Sequence, residues 1–588
     1  MNPLDSTTRL IRRTPAWARW LRGRTRSSEV VFVLVAIAVG GVAGLLAIVQ
    51  GVLAQTLQHL LYGLPPALRL SGVPALSPIQ LALLPMGGLC LVLFKLASRA
   101  RRRSLVDAVE ANALHGGRMS AADSLVISGQ TLISNGFGAS VGLEAAYAQI
   151  GGAIASLVGG WLSLRRGDVR TLVGAGAGAA IAATFGAPLV GAFYAFEIVI
   201  GAYTPAAIAP VAAASLAGAQ VAQRLGLVPY LVVVTPGPAI LTTGYLLYAG
   251  LGACCAVIGI AIMRAVAMVE ARSRAWLPHW ARPVAGGLLL IPIAMLSPQV
   301  LSAGHSALHA DLPASAPLMF IATIIVAKSL ASIISLGFGF RGGLFFASLF
   351  LGTLVGHLYA DFAGLIAGKS ILDPGNAAMV GMAGLAAAIV GGPMTVAMLV
   401  LGATGNFSLT GAVLAASLVS STIVRETFGY SFSTWRLHLR GETIKSARDV
   451  GWVRTLTAGR MMRRDIATIA AATTVAEFRR RFPLGATSRV ALLDERQRYA
   501  GIVTPAAVYA EGVDEAAAVA GLAHAADIAL SPEMHIGEIM ALLDRAQTDE
   551  LVVLDKEGGV LGVISENFVS RRYADELEKS QRELFGEA

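Results

Sequence analysis

Gly136-Phe-Gly-Ala-Ser-Val-Gly-Leu-Glu144-Ala-Ala-Tyr-Ala-Gln-Ile-Gly-Gly-Ala153 sets one carboxylate in a long run otherwise without charge. An ionisable side chain at bilayer depth costs ~2.5–3.5 kcal/mol on insertion scales, so it faces a polar pathway or a partner. The plainer reading is a carboxylate that caps a helix start, where the helix dipole favours it. A second copy of the pattern tips the balance towards a pathway. Gly142-Leu143-Glu144 with Gly151 downstream matches Gly343-Leu344-Phe345 with Gly352 downstream, at the same internal spacing. Gly-Ala-Pro188-Leu-Val-Gly then follows the first copy and Gly-Gly-Pro393-Met-Thr-Val the second. The chain carries an internal repeat about 200 residues long.

Composition says what the repeat is made of. The chain is 55% hydrophobic and 14% charged, with 65 glycines and a mean hydropathy of +0.66. This is the profile of a polytopic membrane protein. Apolar runs lie at 30–50, 81–97, 146–164, 206–222, 244–269, 317–335 and 375–401. Several exceed the roughly 20 residues that a spanning helix needs, and others are shorter and broken by Gly or Pro. Cys90, Cys254 and Cys255 all sit in apolar runs, so neither a disulfide framework nor a thiolate metal site is implied.

The net charge of +10 does not read as a nucleic-acid surface. Arginines gather at helix borders, from Arg9 to Arg26, from Arg99 to Arg103, and at Arg165, Arg166 and Arg170, which is the pattern of cytoplasmic retention. The apolar run at 30 is too long and too deep in the chain for a cleavable signal. The expectation is a multi-pass protein of the cell membrane with both termini in the cytoplasm.

Within 30–425 the halves run about 30–225 and 240–425. Short hydrophobic segments interrupted at matching positions point to a binding site where broken helices meet near the midplane. A helix amino terminus offers unpaired N–H donors and about half a positive charge, so it can hold an anion without a fixed cation. Two enzyme-like motifs are set aside. Gly138-Ala-Ser140-Val-Gly142 fits a nucleophile elbow, but it lacks a strand–turn–helix setting and a nearby histidine. Gly337-Phe-Gly339-Phe-Arg-Gly342 fits a dinucleotide fingerprint, but it follows a spanning helix instead of a strand. It reads better as a mobile backbone loop leading into Gly343-Leu344-Phe345, whose N–H groups could face an anion. No enzyme activity is expected.

At these residues the chain resembles the CLC family of chloride channels and chloride/proton antiporters. Gly-Leu-Glu144-Ala-Ala with Gln149-Ile-Gly-Gly152 is similar to the family's Gly-Arg-Glu-Gly-Pro segment and its following Gln-Ile-Gly-Gly. Phe185-Gly-Ala-Pro188-Leu, Gly342-Gly-Leu-Phe345-Phe-Ala-Ser-Leu-Phe350 and Lys328-Ser-Leu resemble further family segments. The resemblance implies an all-α membrane domain of inverted repeats with broken helices, a homodimer, and one anion pathway per subunit. It makes Glu144 the gating glutamate, and it makes Leu344 and Phe345 backbone donors to the anion, with Gly142 and Leu143 beside them. The departures matter as much. The family's chloride-contacting serine is not evident, and Ser104 in Ala-Arg-Arg-Arg103-Ser-Leu-Val is its nearest neighbour. Leu143 and Ala146 replace the arginine and proline that flank the gate. The central tyrosine falls at Ser433, a shorter hydrogen-bond donor, with Tyr430 three residues away. The internal glutamate of the antiporters falls at Ile198. Its neighbour Glu197 reads either as a proton relay or as a satisfied structural carboxylate.

The tail repeats as well. Met461-Met-Arg-Arg-Asp-Ile-Ala-Thr-Ile, Ser488-Arg-Val-Ala-Leu-Leu-Asp and Gly501-Ile-Val-Thr504 are answered by Ala526-Asp-Ile-Ala-Leu-Ser, Glu550-Leu-Val-Val-Leu-Asp and Gly562-Val-Ile-Ser565. Short β-branched strands alternate with helices at 474–482 and 536–546, a small α+β domain that looks like a tandem CBS pair. Such pairs often bind adenosine nucleotides. The ribose-binding aspartate is Ala507 in one unit and Phe568 in the other, so no cofactor is expected and a dimer-stabilising role competes. The domain plan is a basic segment 1–28, a membrane domain 29–435, a linker 436–450, and a CBS pair 451–588. The pair's units lie at about 455–511 and 525–575, and a solvated last helix carries Glu576, Lys579 and Glu583. The favoured function is a chloride channel of the voltage-gated type. A chloride/proton antiporter is the alternative, and a non-conducting membrane-anchored sensor is a third reading.

Overall fold

The computed structural model describes residues 23–25, 28–65, 68–98, 105–226, 240, 242–309, 317–439, 456–487, 489–546 and 548–572 of the chain. Arg99 to Arg103, Ser104, Ser488, most of the basic segment 1–28, most of the linker and the last helix lie outside the described residues. The chain divides into two units, Met1–Asp449 and Val450–Ala588.

The first unit is all-helical. Its first half contains α1 (Glu29–Tyr62), α2 (Pro78–Ala97), α3 (Ala108–Leu114), α4 (Ala121–Gly136), α5 (Glu144–Trp161), α6 (Arg166–Phe185), α7 (Pro188–Tyr194) and α8 (Pro205–Arg224). A π-helical turn, Ala195–Ile200, extends α7. The second half contains α9 (Thr242–Trp276), α10 (Ala281–Leu296), α11 (His305–His309), α12 (Leu318–Gly337), α13 (Phe345–Ala367), α14 (Pro374–Val390), α15 (Pro393–Thr404) and α16 (Phe407–Thr427), with α17 (Phe432–His438) closing the unit. Seven helices among the described residues are long and apolar enough to cross a membrane. Two of these, α13 and α16, fall outside the apolar runs expected from sequence. The run at 375–401 is two helices. Gly391 ends α14 in the left-handed region (φ 86°) and Pro393 starts α15, just as Gly186 (φ 65°) and Pro188 separate α6 from α7.

The two halves share one packing plan. α5 lies against α6 as α13 lies against α14, and α1 lies against α8 as α9 lies against α16. Small residues let the backbones touch, since a Cβ at Gly151 would collide with the Gly176 carbonyl and one at Gly352 with the Gly381 carbonyl. α6 and α14, rich in Ala and Gly, are buried over most of their lengths. Leu60, Leu246, Met319 and Phe407 are exposed on the outer helices, as expected of a surface that meets lipid.

The second unit is α+β. A short helix α18 (Ala458–Met461) precedes β1 (Ala467–Ala470), α19 (Val475–Arg481), β2 (Val490–Leu493), β3 (Tyr499–Val503) and α20 (Pro505–Val508). The second part contains α21 (Ile536–Ala546), β4 (Glu550–Leu554) and β5 (Val560–Ser565). β1 pairs parallel with β2 through Ile469 and Leu492, and Leu530 bridges β4 in the same sense at Val553. The antiparallel pairs Leu492–Gly501 and Val553–Gly562 also repeat at an offset of 61 residues. The leading segments are exchanged between the parts. Thr457 bridges His535 and Ala518 bridges Thr474, while Arg463 bridges Val563 and His524 bridges Ile502. Each part is completed by the other, which is the architecture of a CBS pair.

Candidate functional site: two helix starts facing one carboxylate

The two copies of the repeated motif meet. Gly142 donates its N–H to the Gly343 carbonyl at 2.9 Å and Gly343 donates back to the Gly142 carbonyl at 3.1 Å. The flanking loops are exchanged in the same symmetric way. Ser140 donates its N–H to Ser335 Oγ at 2.9 Å, and Arg341 donates its N–H to Ser134 Oγ at 3.0 Å. The glycine loop 337–342 is therefore pinned, contrary to the mobile loop expected from its glycines. Each glycine has a hydrogen-bonded neighbour that fixes it, and Gly339 (φ 94°) mirrors Gly138 (φ 88°). Ser140 is fully buried with its Oγ 3.0 Å from Ser332 Oγ, a structural pairing.

Beyond this crossing, α5 begins at Glu144 and α13 begins at Phe345. The residues that precede them, Leu143 and Leu344, carry no side-chain oxygen and cap nothing. The first N–H groups of both helices are thus left for an outside acceptor. One acceptor is present. The Glu144 carboxylate takes hydrogen bonds from its own backbone N–H at the start of α5 and from the Phe346 backbone N–H at the start of α13, and Glu144 is 3% exposed. Its Oε2 has no hydrogen-bond partner among the described residues. A Cβ at Gly142 would fall on that oxygen, and one at Gly343 would stand 3.3 Å from it. Both glycines leave room for the carboxylate. Aromatic rings close the surroundings. Phe345 meets Phe185 at 5.5 Å and Tyr194 at 6.4 Å, while His305 stacks on Phe346 at 3.8 Å. Gly142, Leu143, Glu144, Leu344 and Phe345 are all brought together and buried.

Ser433 lines a cavity of about 180 Å³ with Glu197, Ile198, Tyr430, Ser431 and Arg425, whose lining includes neither Glu144 nor Phe345. The Tyr430 hydroxyl lies 3.1 Å from His438 Nδ1, and its ring packs against Phe428 and Trp435. Glu197 faces the start of α15. It accepts from the Met394 N–H at 3.0 Å, the Thr395 N–H at 2.9 Å and Thr395 Oγ1 at 2.7 Å. Gly392, which precedes α15, supplies no cap of its own, so Glu197 serves as the cap from the π-helical turn.

The arrangement matches a known family. Residues 83–425 fit the family model described as voltage gated chloride channel, more than half of the 588 residues. The protein belongs to the CLC family. It is 30% identical over 319 residues to a ClcB-like chloride channel protein of Ralstonia nicotianae, covering 52% of this chain and 73% of that one. It is 27% identical over 361 residues to the voltage-gated ClC-type chloride channel ClcB of Escherichia coli, covering 60% and 83%. Among solved structures, a slow cyanobacterial Cl−/H+ antiporter shares the fold at TM-score 0.58 and 23% identity, covering 70% of this chain and 97% of that one. A eukaryotic CLC transporter does so at 0.59 and 17%, covering 91% and 97%. That coverage reaches beyond Asp449 into the tail. As a CLC protein the chain is a multi-pass membrane protein whose family transports anions.

Residues that sequence reasoning passed over also border the site. Lys328 was legible only as part of a family segment, although one lysine inside an apolar run is the same signal that singled out Glu144. Phe346 was likewise legible only inside a family segment, and His305 had no signal.

Proposed function

We propose that this protein conducts chloride or a similar small anion passively, through a pathway closed by the Glu144 carboxylate. The observation that carries this reading is the carboxylate itself, seated on the Phe346 N–H at the start of α13. A helix start of that kind holds an anion by its N–H groups and dipole. The side chain takes the place an anion would take, and neutralising it removes the competitor. Passive conduction is favoured over proton exchange by two features. Ile198 cannot carry a proton, and the Glu197 oxygens are engaged at the start of α15. Voltage-gated operation, two subunits per assembly and cytoplasmic ends belong to the same reading, with the CBS pair serving as a dimer-stabilising element without nucleotide.

The test is chloride efflux from liposomes at neutral pH. Glu144→Gln should raise the rate several-fold over wild type, and equal rates would remove Glu144 from the gate. In the same vesicles a chloride gradient should move no protons uphill. Stoichiometric uphill pumping would assign the protein to the antiporters, and its loss in Glu197→Gln would make Glu197 the relay.

A further inference from the structure

A small polar chamber adjoins the gate. Its volume is about 10 Å³, on the scale of a single water or small ion. Arg69 and Ser71 line it from the connection between α1 and α2, Gln55 from α1, and His305 from the start of α11. Leu143, the residue before Glu144, lines it as well. The half-buried Arg69 brings a charge that does not titrate, and no carboxylate is among the lining residues.

Hydrogen bonds tie the walls together. Gln58 Nε2 donates to the Asn135 carbonyl at 3.0 Å, to Asn135 Oδ1 at 3.1 Å and to Ser302 Oγ at 3.0 Å. Asn135 Nδ2 donates to the Val141 carbonyl at 2.8 Å, which fixes the segment leading to Leu143. Ser302 donates its N–H to the Gly138 carbonyl at 3.1 Å, and its own carbonyl accepts from Lys328 Nζ at 2.9 Å. These bonds hold Ser302 at φ 53°, which residues other than glycine seldom adopt. The amide nitrogens of Gln58 and Asn135 are thus spent on the protein. Ser71 Oγ accepts from the Ser306 N–H at 3.1 Å, which leaves its O–H to donate. Arg69 Nη2 stands 3.5 Å from Gln55 Oε1. The guanidinium and the Ser71 hydroxyl are donors, and donors suit an anion.

Two of the walls touch the gate. Leu143 directly precedes Glu144 at the start of α5. His305 stacks on Phe346, whose N–H holds the Glu144 carboxylate. The chamber lies towards the Tyr62 end of α1, away from the end where the chain enters that helix. With cytoplasmic termini this is the outer side.

We propose that the chamber is an outer station for the permeating anion, where the Arg69 guanidinium gathers a halide-sized ion before it reaches the gate. The inference rests on the reading of the chain as an anion pathway gated by Glu144. A cleft lined by one sign of charge, with walls of low dielectric, concentrates the opposite ion and raises its rate of entry by roughly 10- to 1,000-fold.

The experiment is tracer chloride exchange across liposomes with equal chloride inside and out, which sends ions through the chamber whichever way the protein is inserted. Arg69→Gln should raise the chloride concentration for half-maximal exchange about tenfold and leave the maximal rate unchanged. The effect should shrink as inert salt screens the guanidinium. Arg69→Lys, which keeps the charge, should stay near wild type. An unchanged half-saturation in Arg69→Gln overturns the proposal, as does a fall in the maximal rate alone. Crystals grown with bromide test the station without asking the gate to open. Wild type should show an anomalous peak at hydrogen-bond distance from the Arg69 guanidinium. A water in its place overturns the proposal, even where Arg69→Gln does not fold. A peak joined to an unchanged half-saturation marks an adventitious ion only and overturns it too. Failure of the gate reading is separately visible: equal exchange in Glu144→Gln and wild type removes the gate and leaves the Arg69 peak and the half-saturation shift standing.

Discussion

The membrane unit and the tail are both built by repetition, and they use it in opposite ways. In the tail the second part repeats the ladder of the first at an offset of 61 residues, and each part completes the other. Its equivalent positions 489 and 550 carry Arg and Glu, which join directly at 3.2 Å and cancel. In the membrane unit the backbone is equally symmetric, down to the Gly142–Gly343 exchange, but the equivalent residues diverge. Glu144 faces the donors of the other half where Phe345 offers only a ring, and Lys328 answers Ile127. Symmetric backbone supplies two helix starts, and asymmetric side chains decide what happens between them. Function is to be sought where the second copy departs from the first.

That contrast can be broken first at the backbone. Gly151→Leu and Gly352→Leu should be equally damaging, each by ~3 kcal/mol or more from overpacking against a carbonyl. Thermal unfolding and yield of folded protein would report it, and a tolerated Gly352→Leu would show that the halves pack differently. A smaller loss is expected at the tail's charge pair. Arg489→Ala leaves Glu550, whose side chain is 13% exposed, with Arg463 at 3.8 Å as its remaining cation, at a cost of about 1–2 kcal/mol. Faster hydrogen exchange in β2 and β4 is the readout. Burial, and then the Arg489 guanidinium, hold His524 below its ordinary value of 6.5. The unfolded chain therefore binds that proton first, so tail stability is full above this value and declines as the pH falls below it. Arg489→Ala should shrink that decline. The smallest effect is expected from nucleotide. Thr504 and Ser565 are followed three residues on by Ala507 and Phe568, neither of which can hold a ribose. Millimolar ATP or AMP should leave the melting temperature unchanged. A ligand at 100 times its dissociation constant adds ~2.7 kcal/mol, and a shift of that order would restore nucleotide to the tail.

Much of this was legible in the sequence because glycine and proline carry backbone information directly. Gly142 with Gly343, and Gly186-Ala-Pro188 with Gly391-Gly-Pro393, announced the repeat, the broken helices and the meeting point. Glu144 was legible because a charge in an apolar run has few explanations. The closing of the glycine loop was not, since Ser134, which pins it through the Arg341 N–H, lies on α4 about 200 residues away along the chain. The engagement of Glu197 was also hidden. Its acceptors' donors come from the start of α15, 197 and 198 residues away along the chain, and only folding brings them within reach.

The central claim is that the Glu144 carboxylate occupies a place that an anion takes when the carboxylate leaves. Bromide is a chloride surrogate that anomalous diffraction locates directly. In crystals of Glu144→Gln grown with bromide, an anomalous peak should stand at hydrogen-bond distance from the Phe345 and Phe346 N–H groups. In wild type at neutral pH that place should hold the carboxylate and no bromide. A peak there in wild type beside an undisplaced carboxylate, or none in Glu144→Gln, would contradict the account.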